Sequence, residues 1–160
     1  MEGNKMSLAF ERVLSPKAPK TQPAIEERTL EVSVVYTSPK ATSQAIQSAA
    51  AMAQDLGGRL MLVVPQVVPY PLPLAQPQVP VDFMADQLRQ IVACSRVPVT
   101  VHLYLCRDRI QTLMKVLSPH TLVVLSGPRR WWPTREERLA KLLRREGREV
   151  IFTETERSHA

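Results

Sequence analysis

Glycine is scarce in this chain. There are five in 160 residues, and none between positions 128 and 146. A loop that closes its main-chain N–H groups around a phosphate needs glycine, because a side chain holds the phosphate away. The C-terminal third is therefore poorly equipped for such a site. The two cysteines, Cys94 and Cys106, are too few to staple a secreted scaffold and form no Cys-x-x-Cys pair. They suggest an intracellular protein with ordinary thiols. No stretch approaches the ~20 apolar residues that span a bilayer, and the N-terminus lacks a continuous apolar signal region. A soluble cytoplasmic protein is expected. Aromatic residues make up only 5% of the chain, so the core must be built from Val, Leu, Ile, Ala and Met.

Residues for catalysis are equally thin. His102, His120 and His159 show no metal-ligand spacing with cysteines or acids. Ser38 and Ser126 lie outside any Gly-x-Ser-x-Gly elbow. No paired acid and base stand out. The reading is of a protein that is not an enzyme, with no metal and no cofactor.

What the chain does have is alternation of two hydrophobic periods. Residues 30–36, 60–64, 97–105, 121–127 and 150–152 are short apolar runs rich in β-branched residues and read as strands. Four helical patterns separate them. The first opens at Ser38-Pro39, a capping serine followed by a proline that needs no intrahelical N–H partner. It carries Ala45, Ala49, Met52, Ala53 and Leu56 as one stripe and ends at Gly57-Gly58. The second carries Phe83, Met84, Leu88, Ile91 and Val92. The third is capped by Asp108 and carries Ile110, Leu113, Met114 and Leu117. The fourth starts at the capping box Thr134-Arg135-Glu136-Glu137 and carries Leu139, Leu142 and Leu143 to near Gly147.

Strands that alternate with helix-length connections predict a five-stranded parallel α/β sheet with helices on both faces. At a prior of about 150 residues per domain, one domain accounts for the length. Residues 29–154 form it, residues 1–28 read as a disordered tail, and 155–160 as a frayed end. Within the tail, Leu8, Ala9, Phe10, Val13 and Leu14 could make an amphipathic turn or two. The prolines at 65, 69, 71, 73, 77 and 80 read as an extended, polyproline-like linker that is neither helix nor central strand.

Charge is concentrated late in the chain. Between positions 128 and 148 eight Arg and Lys face three Glu, so this segment holds most of the net charge of +6. Such a field attracts phosphates, anionic lipids or acidic proteins alike. Arg138, Lys141, Arg145 and Arg148 read as a solvated face of the last helix. Nucleic acid is disfavoured, since no groove-reading motif or aromatic interleaving accompanies the basic residues. Arg129 and Arg130 follow the fourth strand and could take a phosphate bidentately. Trp131 and Trp132 come next. Exposed, they would suit a protein interface or a peripheral membrane contact; folded back, they would cover the sheet end or the linker.

The order and lengths resemble the universal stress protein family, from residue 31 to residue 154. The likeness rests on Val35-Tyr36-Thr37-Ser38-Pro39, where that family tends to read Val-Asp-Gly-Ser-Pro. It rests also on the alanine-rich helix running to Asp55-Leu56-Gly57-Gly58, on Leu60-Met61-Leu62-Val63-Val64, and on the apolar run from Leu122 to Gly127. It implies an adenine-nucleotide-hydrolase-like sheet, with ligand-facing residues at Tyr36, Thr37, Ser38, Ser126, Gly127, Arg129 and Arg130. It also implies dimerisation through the last strand, at Val150, Ile151 and Phe152. ATP-binding members carry an aspartate where Tyr36 stands. They also carry Gly-x-x-Gly, nine residues, then Gly-Ser or Gly-Thr after the fourth strand. Here Arg129 or Arg130 takes the second glycine, according to register, and the later one is missing. ATP or AMP is therefore disfavoured. A noncatalytic stress-response or regulatory module with a degenerate ATP site, working as a homodimer or with a protein partner, is expected. The alternative is an adenine nucleotide or other phosphorylated metabolite held by Arg129 and Arg130.

Overall fold

In parallel sheets, strands that are covered on both faces read as unbroken apolar runs, and their turns carry the polar residues. The computed structural model follows that rule. It describes residues 10–14 (main chain only), 30–93 and 95–155. The elements are β1 (Phe10–Leu14), β2 (Glu31–Val35), α1 (Pro39–Asp55), β3 (Arg59–Val67) and α2 (Val81–Val92). They continue with β4 (Val99–Cys106), α3 (Arg109–Val116), β5 (Leu122–Gly127), α4 (Arg135–Arg145) and β6 (Glu149–Glu154). One sheet runs in the order β1-β4-β3-β2-β5-β6. The last five strands are mutually parallel, as the alternation predicts.

Two cores lie on opposite faces. Val32, Val34, Leu60, Leu62, Val101 and Leu103 pack against the small residues Ala45, Ala49 and Ala53 of α1 and against Ala85 and Leu88 of α2. Alanines on that stripe let α1 lie close to the strands. Val35, Val63, Val123 and Leu125 point the other way, onto Leu113 of α3 and Leu139 and Leu143 of α4. Ser38 caps α1 by accepting the Ala41 N–H at 3.3 Å, and Gly57, at φ +65°, turns the chain out of its last turn. From β2 the chain winds outward through β3 to β4, then α3 carries it back across to β5. The switch of direction falls between β2 and β5, and in open α/β sheets the binding crevice opens at the carboxyl ends of such a pair.

Four local readings change. Phe10–Leu14 is a strand, antiparallel to β4 with Phe10 opposite Leu105, rather than an amphipathic turn in a disordered tail. It takes up the edge of β4 that β3 leaves open, a tertiary demand that a five-residue segment does not advertise. The rest of the expected N-terminal tail and residues 156–160 lie outside the described residues. Pro65, expected in the linker, sits inside β3 opposite Tyr104. Val63 presents its carbonyl to Tyr36 of the β2 side, so by alternation Pro65 faces that side too. There β2 has already ended, and the missing N–H costs no ladder bond.

The linker itself is turned and clasped instead of extended. Leu72 and Gln76 N–H donate back to the Pro69 and Pro73 carbonyls. Arg107, just after β4, donates to the Val68 and Leu72 carbonyls at 2.7 and 2.8 Å and lies 4.1 Å over the Tyr70 ring. Arg148 lies beyond α4 and is buried, so it is no part of a solvated helix face. Its guanidinium donates to the carbonyls of Met114, Leu117 and Glu146, closing the C-terminal end of α3 with a cation where the helix dipole favours one. Replacing it (Arg148→Met) strands buried carbonyls and is expected to lower stability by about 2–3 kcal/mol in urea unfolding.

Candidate functional site at the carboxyl end of the sheet

Thr37 and Ser38 follow β2, and Ser126 and Gly127 end β5, so the switch point brings the expected crevice residues together. The crevice is bridged. Thr37 Oγ1 donates to the Ser126 carbonyl at 3.1 Å, and the Thr37 N–H donates to Thr42 Oγ1 at 3.1 Å. Ser38 is committed to capping α1. The Ser126 hydroxyl, fully buried, lies 2.7 Å from Thr153 Oγ1 and 3.1 Å from the Thr153 carbonyl. These side chains tie β2, β5 and β6 together and leave few donors turned toward a ligand.

Above Gly127 the space belongs to α4. A Cβ at Gly127 would stand 2.8 Å from Glu136 Cβ, 3.0 Å from Glu136 Cγ and 3.3 Å from Phe152 Cζ. The glycine is thus required by an approaching glutamate, where a phosphate-binding loop would leave bare main chain. At the start of α4, Thr134 Oγ1 accepts the Glu137 N–H at 3.2 Å and Glu137 Oε2 accepts the Thr134 N–H at 3.3 Å. The capping box uses donors that a helix N-terminus would otherwise offer to an anion, and Glu136 and Glu137 oppose the positive end of the dipole.

Basic residues at this end divide into two groups. Arg109, half-buried, donates to the Tyr36 carbonyl at 3.0 Å. Burial pushes its guanidinium below the ordinary arginine value, and the Glu136 carboxylate works in the opposite direction. Burial likewise raises the Tyr36 phenol. Arg129 points outward to Glu154 at 3.0 Å, with both partners well exposed, so solvent leaves that pair little strength. Arg130 is exposed beside it. The two arginines therefore border the crevice without being aimed into it by buried partners. Trp131 and Trp132 stand 95% and 78% exposed, so neither ring folds back over the sheet or the linker. Among the described residues no cluster of His, Cys, Asp and Glu could hold a metal ion, and no helix is long and apolar enough to cross a membrane.

The outer edge of β6 completes the picture. The Glu149 N–H donates inward to Thr121 and the Thr155 N–H to Gly127, so the alternate residues Val150, Phe152 and Glu154 turn their main-chain groups outward. Arg144 of α4 covers one of these, donating to the Val150 carbonyl at 3.0 and 3.3 Å. Beside the edge lies a hollow of about 270 Å³ lined by Arg129, Glu137, Lys141, Arg144, Phe152 and Glu154. Val150 and Phe152 place their side chains in the core of α4, and Ile151 in the opposite core.

No protein-family model matches the sequence, and no curated protein matches it. Among solved structures, a protein of the universal stress protein family from Burkholderia pseudomallei is similar, with a TM-score of 0.52 at 18% identity, over 81% of this chain and 98% of that one. The chain has the universal stress protein fold. A universal stress protein solved in complex with cAMP is also similar, with a TM-score of 0.49 at 14% identity, over 80% of this chain and 98% of its own. At these identities the likeness is one of architecture.

Within the universal stress protein fold, Tyr36, Thr37, Ser38, Ser126 and Gly127 lie at the carboxyl ends of β2 and β5, where the switch point falls. Sequence reasoning missed Glu136, Arg109 and Arg107. In the sequence Glu136 stands as part of a capping box, and nothing in the spacing of 127 and 136 shows that one seats on the other. A Gly127→Ala substitution tests that seating directly. The new methyl must push back the first turn of α4, and stability is expected to fall by about 1–3 kcal/mol in chemical denaturation. An unchanged midpoint would mean that Glu136 does not rest on Gly127.

Proposed function

We propose that this protein is a noncatalytic, stress-related regulatory module of universal stress protein type that works through a protein partner or a second copy of itself, without ATP. The observation that carries this reading is the Glu136 side chain above Gly127. A polyphosphate seated there would meet the Glu136 side chain instead of bare main chain, and the capping box has already taken the Thr134 and Glu137 N–H groups. The missing aspartate at Tyr36 removes the adenine side of the site as the family resemblance describes it. Titration calorimetry with ATP, AMP and cyclic AMP is expected to show no heat of binding, with no rise in melting temperature at millimolar ligand. Heat that disappears in Arg129→Ala/Arg130→Ala would establish the phosphorylated-ligand alternative and overturn the proposal.

The partner surface on this reading is the outer edge of β6. Its outward N–H and C=O groups at Phe152 are open to a further strand, whereas Arg144 already occupies the Val150 carbonyl. An unpaired edge of this kind accepts a strand from another chain. Light scattering is expected to show a dimer at high protein concentration. Glu154→Pro removes an outward N–H, leaves the bonds to β5 in place and touches no core side chain, so it should give a monomer whose circular dichroism still reports the α/β fold. A monomeric parent protein at high concentration would remove the second-copy branch.

A further inference from the structure

The exposed apolar side chains are not spread around the molecule. Among the described residues, Leu56 is the one large exposed hydrophobic at the amino end of the sheet; all the others lie at the carboxyl end. Tyr70 follows β3, Phe83 lies in the first turn of α2, and Trp131 and Trp132 follow β5. Their exposures are 80%, 55%, 95% and 78%. Because β2 to β6 are parallel, these loops and helix starts share one end of the domain. The two tryptophans are the extreme case. They sit side by side between Pro128 and Pro133, and proline fixes φ on either side of a short loop and so holds its tip outward.

Charge selects what such a surface meets. Residues 128–135 contain Arg129, Arg130 and Arg135 and no acid. The neighbouring carboxylates are engaged: Glu137 is bonded to the Thr134 N–H, and Glu154 pairs with Arg129 in an exposed contact that solvent weakens, leaving Arg129 able to exchange partners. A convex pair of indoles ringed by guanidinium groups suits a deformable, anionic, amphipathic medium. Indole settles at the depth of lipid headgroups with its apolar body toward the acyl chains, and nearby arginines gain from anionic headgroups. A protein hot spot, by contrast, is an aromatic set into a shaped, desolvated pocket. These rings protrude.

We infer that the β5–α4 loop is a membrane-surface anchor, in which Trp131 and Trp132 enter the headgroup region of an anionic bilayer and Arg129, Arg130 and Arg135 hold its phosphates. This inference does not depend on the nucleotide or dimer readings above. It gives the module a place to act, and one orientation, with the carboxyl end of the sheet toward the lipid.

Trp131 and Trp132 are the protein's two tryptophans, so tryptophan fluorescence, excited at wavelengths beyond the tyrosine absorption, reports on this loop. Phosphatidylcholine vesicles with and without phosphatidylserine supply the test. With phosphatidylserine, the emission should shift to the blue and the protein should sediment with the vesicles, with affinity about tenfold or more above that for phosphatidylcholine alone. Raised salt should reduce that preference. Arg129→Gln/Arg130→Gln should bring the two vesicle types closer together. Trp131→Ala/Trp132→Ala should lose vesicle binding while keeping the parent melting temperature, because both rings are exposed. Water-like emission and no sedimentation with anionic vesicles would overturn the inference, as would binding that survives removal of both indoles. A shift produced by polyglutamate and not by vesicles would assign the loop to an acidic protein instead. A shift that grows with protein concentration, without lipid, would assign it to a second copy of this chain.

Discussion

The seating of Glu136 on Gly127 is the constraint from which the rest of this end of the molecule follows. Two apolar strands, β2 and β5, diverge at their carboxyl ends, and a parallel sheet leaves a crevice there. Here the chain's own groups bridge the crevice. Thr37 ties β2 to Ser126, Arg109 holds the Tyr36 carbonyl, and α4 lowers the Glu136 side chain onto the last residue of β5. A glycine usually gives main chain access to a ligand. At position 127 it gives a helix access to the main chain. The same residue type serves opposite ends according to what approaches it, and a glycine count alone would not separate the two.

With Ser38, Thr37 and Ser126 engaged in internal hydrogen bonds, the most exposed large apolar side chains at this end belong to the β5–α4 loop and to Tyr70. The loop is too rich in proline and arginine to wrap a phosphate and too well held to collapse inward. Its tryptophans are therefore presented. Exposed indole has a cost in water, and a protein so poor in aromatics places both of its tryptophans there. The open edge of β6 is a separate surface with a different character: main-chain donors and acceptors beside a hollow of mixed charge.

Much of the architecture was legible because it rests on period and punctuation. The five parallel strands are runs of Val, Leu and Ile. Their helices open at Ser38, Asp108 and Thr134, each of which accepts the N–H three residues on. Fold-level features of this kind are local, so a sequence displays them. What stayed hidden depends on what a residue meets far along the chain. Phe10–Leu14 becomes a strand because β4 has an open edge, and Pro65 is tolerated in β3 because β2 stops at Val35. Arg107, Arg109 and Arg148 look from the sequence like any other surface charges. Each instead reaches carbonyls more than thirty residues away. The candidate site was half legible for the same reason: its position followed from topology, its contents from packing.

The arginines also explain how a chain with few glycines finishes its loops. Main-chain carbonyls at helix ends and in the proline-rich linker need donors that prolines cannot supply. Guanidinium groups supply them, with several N–H bonds on one planar head. Arg107 serves the linker, Arg148 the end of α3, and Arg144 the edge of β6. The net charge of +6 is therefore a poor measure of the field offered to a partner. Part of it is spent inside the fold, and part, at Arg129, is balanced by Glu154. Part of the positive charge that remains outward lies on the turn that also carries the two indoles. The basic C-terminal third thus divides into a solvated face of α4, with Arg138, Lys141 and Arg145 exposed, and a projecting loop that pairs its arginines with two indoles.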